Sequence, residues 1–424
     1  MEKNDFYLPP DVLSNLPDSV LDDILTRLSL RDAVRTSILS KKWRCNWCRL
    51  PQLTLDRRLW KTNEDLKSPT IGFTNIVYPL LALHTGPITK FTLDIPYLET
   101  CPNIDNLIHF LSRNGIQHVV LKPPNGIRYK LPSSFFTCLR LRHLTLQRCL
   151  IRPPPVFTGF DGLISLELSD VMISSEFLGS LISHAPLLEH LVLNHSNNSN
   201  TIDISAPKLR SFVFTGNIHF IHLENVPLLS HVSYKPIAFS VEAEHDLANI
   251  FESIPSLENL CWNHYHVHDV DTGPAEVIPT RLPSALNCLK RLYISWITLG
   301  EFLEFSFALC LTRSSSNLEE IVIKVYVDPD EEYFEPVPRD AVDEIPASFS
   351  DMTFNHLRTV KIYGVAGTEA EMQLIMVLLA KSPALVRMVI KPGGMEDKKS
   401  LKVLAEITSF QRASSKAQVV YNVD

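Results

Sequence analysis

The sequence predicts an α/β solenoid, with short parallel strands lining a concave face and helices outside, preceded by a small all-α three-helix segment. Three observations predict it. The stretch LRHLTLQRCLI at 141–151 returns 22 residues later as LISLELSDVMI. Its core pattern then recurs, irregularly spaced, from about residue 87 to 390. The first 58 residues carry a different, helical spacing of apolar positions.

The bulk numbers set limits. The chain has 424 residues, is 45% hydrophobic and 21% charged, and carries a net charge of −7. That length fits two to four ordinary domains or one long solenoid. A general nucleic-acid binder would be basic, so no nucleic-acid partner is expected. The N-terminus MEKNDFYLPP lacks the basic-then-apolar pattern of a signal peptide. The longest purely apolar run, 374–380, falls far short of the roughly 18 residues of a membrane helix. The expectation is a soluble, intracellular chain, cytoplasmic and/or nuclear, with no membrane partner and its eight cysteines as thiols. The matches to the glycosylation sequon at Asn194 and Asn197 then carry no weight.

Residues 1–13 read as a flexible tail, and 14–58 contain the three helices. Asp18 follows Pro17 as an N-cap, and Leu21, Ile24, Leu25 and Leu28 fall at helical spacing. A second helix starts near Arg31, with Ala33, Val34 and Ile38 apolar, and a third carries Trp43 and Trp47. So small a segment cannot bury all of these side chains, and a left-over apolar patch marks a partner site. Residues 27–58 hold nine Lys/Arg against two Asp/Glu, either a solvated helix face or a complement to an acidic partner. Leu16-Pro17, Val20-Leu21, Ile24-Leu25, the step Leu30 to Val34, and Leu39-Ser40-Lys41-Lys42-Trp43-Arg44 together resemble the F-box. The resemblance implies docking to a Skp-type adaptor of a cullin-based (SCF) ubiquitin ligase. It also implies a docking surface of Leu16, Pro17, Ile24, Leu25, Leu30, Val34, Leu39 and Trp43. Cys45 and Cys48 form a lone C-x-x-C. With neither a second pair for zinc nor a thioredoxin-like context it reads as incidental.

Residues 59–86 are a junction with a helix near 75–84, and 87–347 are the repeats. In 141–173 Leu141, Leu144, Leu146, Cys149 and Ile151 are matched by Leu163, Leu166, Leu168, Val171 and Ile173. That is L-x-x-L-x-L-x-x-C/N-x-L, the leucine-rich-repeat frame, whose period is about 20–29 residues. Its middle positions are Phe91, Val119, Leu144, Leu166, Leu191, Phe212, Val232, Leu260, Leu292, Ile321, Val360 and Met388. A proline stands two residues before the first leucine at Pro186, Pro207, Pro227, Pro255 and Pro383, ending whatever precedes the strand. Helices are expected at 175–183, 243–253 and 369–381. A lone strand of this kind cannot bury its apolar side, so neighbours stack on it.

If the leucines point inward, alternate positions line the concave face. The substrate-binding candidates there are His143, Thr145, Gln147, Glu167, His190, His231, Arg291, Tyr293 and Lys324. Arg291, Lys324, Lys361, Arg387 and Lys391 make the later part more basic, suiting ordinary solvated surface, an acidic degron or a phosphate ligand. His264, His266 and His268 alternate, but no accompanying cysteine or carboxylate spacing fixes a metal geometry. No metal or cofactor is expected. Residues 328–351, with nine Asp/Glu and one Arg, read as an exposed mobile loop. Residues 348–424 read as strand–helix–strand–helix–strand, a final repeat pair and a cap, with Thr368 capping a helix. This stretch resembles the FBD domain found after F-box and repeats in a large, mainly plant family.

No phosphate-binding loop, nucleophile elbow, H-E-x-x-H or G-x-G-x-x-G is present. The expectation is a non-enzymatic substrate-recognition subunit of an SCF-type ubiquitin ligase, with the adaptor, through it a cullin, and an unknown protein substrate as partners. The alternatives are a leucine-rich-repeat scaffold or a small-molecule receptor not coupled to a ligase. A hydrolase assembled from distant residues comes last.

Overall fold

The computed structural model describes residues 15–59, 69–98, 100–101, 103–126, 128–194, 201–216, 221–236, 250–263, 280–299, 302–326 and 337–422. The chain divides into two compact units, residues 1–187 and 188–424.

The first unit opens with α1 (Asp18–Thr26) and α2 (Leu30–Arg35). Pro17, not Asp18, holds the N-cap position of α1, and Asp18 sits in the first turn, where the helix dipole favours a carboxylate. Ser29 caps α2 by accepting from the Asp32 amide at 3.2 Å. The third expected α-helix is instead a run of tighter turns. Trp43 N donates to Ser40 O, Cys48 N to Cys45 O and Leu50 N to Trp47 O, each three residues back. Two 3₁₀ turns, Thr36–Ile38 and Asn46–Arg49, belong to this run. Ser40, Cys45 and Asn46 are poor helix formers, and the tight winding turns Trp43, Trp47 and Leu50 inward, where all three are buried.

Five parallel strands follow: β1 (Gln52–Asp56), β2 (Lys90–Asp94), β3 (His118–Lys122), β4 (His143–Gln147) and β5 (Ser165–Ser169). Their register aligns Leu53, Phe91, Val119, Leu144 and Leu166 in one row. All five are buried. The helices of this unit are α3 (Pro69–Leu83), α4 (Ile104–Ser112) and α5 (Ser175–Ser183). The first begins earlier than the junction helix expected at 75–84. Between β4 and β5 the prolines 153–155 exclude a helix, and aromatic rings fill the layer. Phe135, Phe136, Phe157 and Phe160 pack edge-on with centroids 4.8–6.0 Å apart.

The second unit continues with β6 (His190–Asn194), β7 (Ser211–Gly216), β8 (His231–Pro236), β9 (Asn259–Asn263) and β10 (Arg291–Ile297). Then come β11 (Glu320–Val325), β12 (Thr359–Val365), β13 (Arg387–Pro392) and β14 (Gln418–Tyr421). All pair in parallel, and Leu191, Phe212, Val232, Leu260, Leu292, Ile321, Val360, Met388 and Val419 form one row. The fold is thus an α/β leucine-rich-repeat solenoid, and every predicted middle position lies in a ladder row. The helices are α6 (Phe302–Arg313), α7 (Arg339–Ser348), α8 (Glu369–Ala380) and α9 (Asp397–Ser409). Thr368 and Glu371 cap α8 reciprocally. Residues 339–348, expected as loop, form α7. Val342 and Ile345, three apart, are buried, while Asp340, Asp343 and Glu344 face solvent. The remainder of that acidic stretch up to 336, most of the helix expected at 243–253, and His264, His266 and His268 lie outside the described residues.

Two bulges re-aim the strand ends. In β10 the register shifts between Ser295 and Ile297, leaving Trp296 as the extra residue at φ 60°. In β12 it shifts between Tyr363 and Val365, and Gly364 takes φ 82°. A Cβ at Gly364 would meet the Val325 carbonyl oxygen at 2.4 Å, so a side chain has no room there.

Candidate functional site

The front helices keep an apolar face open. Leu21, Leu25, Leu30, Ala33, Trp43 and Trp47 are buried. Of the eight residues expected to dock a partner, Pro17 and Leu39 are exposed, while Leu16, Ile24 and Val34 are half-buried. Leu25, Leu30 and Trp43 are interior. Ile38, 87% exposed, stands next to Leu39 at 57%, and Val20 and Leu28 of the same front segment are also exposed. The sequence placed Leu28 and Ile38 among the apolar positions of the front helices and left open which of these stay uncovered. The turn at 36–39 breaks the helical spacing and swings Ile38 out. Lys42 Nζ donates to Leu16 O at 2.9 Å and tethers the turns to the start of α1. Ser37 Oγ, Trp43 Nε1 and Asn46 Nδ2 are buried without a hydrogen-bond partner among the described residues. Arg27, Arg35, Lys41, Lys42, Arg44 and Arg49 are exposed around this face. Beside it, Arg31, Val34, Trp47, Leu59, Ile76 and Leu83 help line a mostly apolar cleft of about 290 Å³.

The outward strand positions form a further candidate surface in each unit. In the first unit His118 and His143 stack with ring centroids 4.4 Å apart and planes 5° apart. Burial, and then the nearby His143, Lys90 and Arg142, push the His118 pKa below its usual value. Thr145 Oγ1 donates to Glu167 Oε2 at 3.2 Å, and Gln147 is half-buried. In the second unit His190 is exposed, and burial lowers the pKa of half-buried His231. Arg291 donates to Asn259 Oδ1 at 3.3 Å and lies 3.9 Å from Glu320. Lys361 Nζ donates to Glu320 Oε1 at 2.7 Å. The Lys324 ammonium stands 5.3 Å over the Tyr293 ring. Trp296, 58% exposed, went unrecognised because it breaks the strand alternation. Its ring lies 5.8 Å from that of Tyr326.

Chemistry is sparse on these surfaces. Burial raises the Cys48 thiol pKa first, with Cys45 adding to it, the opposite of what a reactive thiolate needs. Among the described residues no three metal-ligating side chains cluster, and no helix is long and apolar enough to cross a membrane.

A parallel-strand repeat ladder behind a helical segment with an open aliphatic face defines the class: a leucine-rich-repeat protein with an N-terminal F-box. The F-box domain model matches residues 13–53, and the model of the repeats of FBD-associated F-box protein At5g56370 matches 104–323. The chain is 33% identical to F-box/FBD/LRR-repeat protein At1g13570 of Arabidopsis thaliana, over 98% of this chain and 99% of that one. It is 24% identical to putative F-box/FBD/LRR-repeat protein At4g03220 of the same plant, over 99% and 97% of the two chains. F-box/FBD/LRR-repeat protein At5g56420, also from Arabidopsis thaliana, is 31% identical over 47% and 48%. The chain belongs to the F-box/FBD/LRR-repeat family.

Proposed function

We propose that the chain is the substrate-recognition subunit of an SCF-type ubiquitin ligase, working in the cytoplasm or nucleus. Residues 14–58 dock a Skp-type adaptor and, through it, a cullin. The repeats of 87–347 and the FBD-like 348–424 hold a protein substrate. The chain does no chemistry of its own; it brings the substrate to the transferring subunits, making a bimolecular encounter effectively unimolecular. The observation that carries this reading is the exposed pair Ile38 and Leu39, standing on a frame of buried leucines and tryptophans.

The test is co-purification with a Skp-type adaptor, comparing wild type with Ile38→Asp/Leu39→Asp. Together the two side chains offer about one and a half aliphatic side chains to a partner. Burying them contributes roughly 2–4 kcal/mol, so the variant should bind about 30- to 1000-fold more weakly, with its melting temperature unchanged. A folded wild type that fails to retain the adaptor overturns the reading.

A further inference from the structure

The outward positions of β9–β14 carry Arg291, Lys324, Lys361, Arg387 and Lys391, with Glu320 as their one acid. The chain as a whole has net charge −7, so this cationic face runs against the balance of the molecule. Glu320 is itself engaged by Lys361 at 2.7 Å and approached by Arg291 at 3.9 Å. It neutralises at most one of the five cations.

The register sets the spacing. Lys324 pairs with Tyr363, and Tyr363 with Lys391, so the two lysines stand two strands apart, about 10 Å. Arg291 and Arg387 share another row three strands apart, about 14 Å. An extended segment in the polyproline-II form turns once every three residues and rises about 9 Å per turn, so carboxylates three residues apart share one face and match the Lys324–Lys391 spacing. A single phosphate would need these donors to converge, and Lys361 is held away by Glu320. Aromatic rings edge the same rows: Tyr293 beneath Lys324, half-buried Tyr363, and Trp296, pushed out by the β10 bulge.

We infer that the strand face of β10–β13 is the docking surface for an extended acidic segment of a protein partner, with Arg291, Lys324, Arg387 and Lys391 pairing its carboxylates across the strands and Trp296 gripping its edge. This rests on the reading of the repeats as the substrate-holding part.

The test uses the full-length chain in fluorescence anisotropy with a labelled peptide of about twelve residues, glutamate at every third position so that all face one side of a polyproline-II segment. Comparison probes are its glutamine counterpart, a peptide with one phosphoserine, and a single-stranded RNA. The spaced-glutamate peptide should bind at least tenfold tighter than each of them and weaken with salt. Lys324→Gln/Arg387→Gln/Lys391→Gln should lose at least tenfold, and Trp296→Ala about threefold. These side chains face outward, and circular dichroism checks that the variants fold. The proposal is overturned if the glutamine or phosphoserine peptide or the RNA binds as tightly, or if the triple variant binds normally. Adaptor retention, measured on the same preparations, is read separately. Its loss in wild type with peptide binding intact sinks the ligase reading and leaves this one standing.

Discussion

Replacing Glu320 with glutamine separates a binding role of the cationic face from a structural one. In the folded chain Glu320 accepts from Lys361 at 2.7 Å, with the two side chains 29% and 35% exposed. Its other cation, Arg291, is 3.9 Å away and 64% exposed. Solvent-screened pairs of this kind contribute about 0–1 kcal/mol each, so Glu320→Gln should lower stability by no more than about 1 kcal/mol. The hydrogen bond to Glu320 raises the Lys361 pKa above its ordinary 10.5. A cation whose folded pKa is raised stabilises the fold below its unfolded pKa and loses that contribution as pH climbs through the raised value. The deficit should therefore be constant through neutral pH and fade on the alkaline side above about pH 10.5. Binding moves the other way. A fixed negative charge about 7 Å from a ligand carboxylate opposes it by about 0.6 kcal/mol at the dielectric constant of water and about 2 kcal/mol at an effective value near 20. Removing it should tighten the spaced-glutamate peptide by about 3- to 30-fold at low salt, with the gain shrinking at high salt. Anisotropy titration and chemical denaturation on one preparation give both quantities. A variant that is less stable and binds the peptide equally or more weakly refutes the reasoning.

Three further outcomes follow from the same geometry. Leu166→Ala empties a fully buried position in β5, in the row with Leu144; urea titration should register a loss of about 2–5 kcal/mol. Gly364→Ala puts a Cβ 2.4 Å from the Val325 carbonyl at φ 82°. A left-handed non-glycine residue alone costs about 1–2 kcal/mol, so the melting temperature should fall, and a rise would contradict the bulge. His118 has a pKa held below 6.5 by burial and by the positive groups His143, Lys90 and Arg142. Its depressed folded value means stability is present above the unfolded pKa and is lost as pH falls below about 6.5. His118→Gln should flatten that part of the stability–pH curve, and an unchanged slope would exclude His118 as its source.

The ladder was legible because the repeat frame writes its inward positions in one alphabet. The twelve middle positions fall in two register rows, Phe91 to Leu166 in the first unit and Leu191 to Met388 in the second, since alternation of apolar and polar residues has only one way to face a packed layer. The first strand was missed: Leu53-Thr54-Leu55 alternates too, but it sits between the tryptophan turns and Arg57-Arg58, inside the segment whose spacing is helical. The third front helix failed for a physical reason. Trp43, Trp47 and Leu50 are inward at either helical or 3₁₀ winding, so burial alone did not choose, and the weak helix formers between them did. The acidic stretch hid α7, because overall charge outweighed the two apolar residues at helical spacing. On the sites, the sequence showed which positions are apolar but not which way they face. Leu25, Leu30 and Trp43 point in, while Ile38 and Trp296 point out, each at a place where a turn or a bulge resets the period.

That last contrast bears on how such a face can select a partner. Each repeat is stabilised by its own core and its neighbours, so outward residues change at little cost to the fold. Selection by charge then depends on what a bound segment feels. At physiological ionic strength charges beyond about 8 Å are largely screened, and the rows of β10–β13 span about 14 Å. A segment lying on them meets five cations and one acid, not the chain's net −7. An acidic segment would thus be held by local contacts on a molecule whose overall charge repels it. Its affinity should follow single substitutions at Lys324, Arg387 or Lys391 far more closely than changes of equal charge elsewhere on the surface.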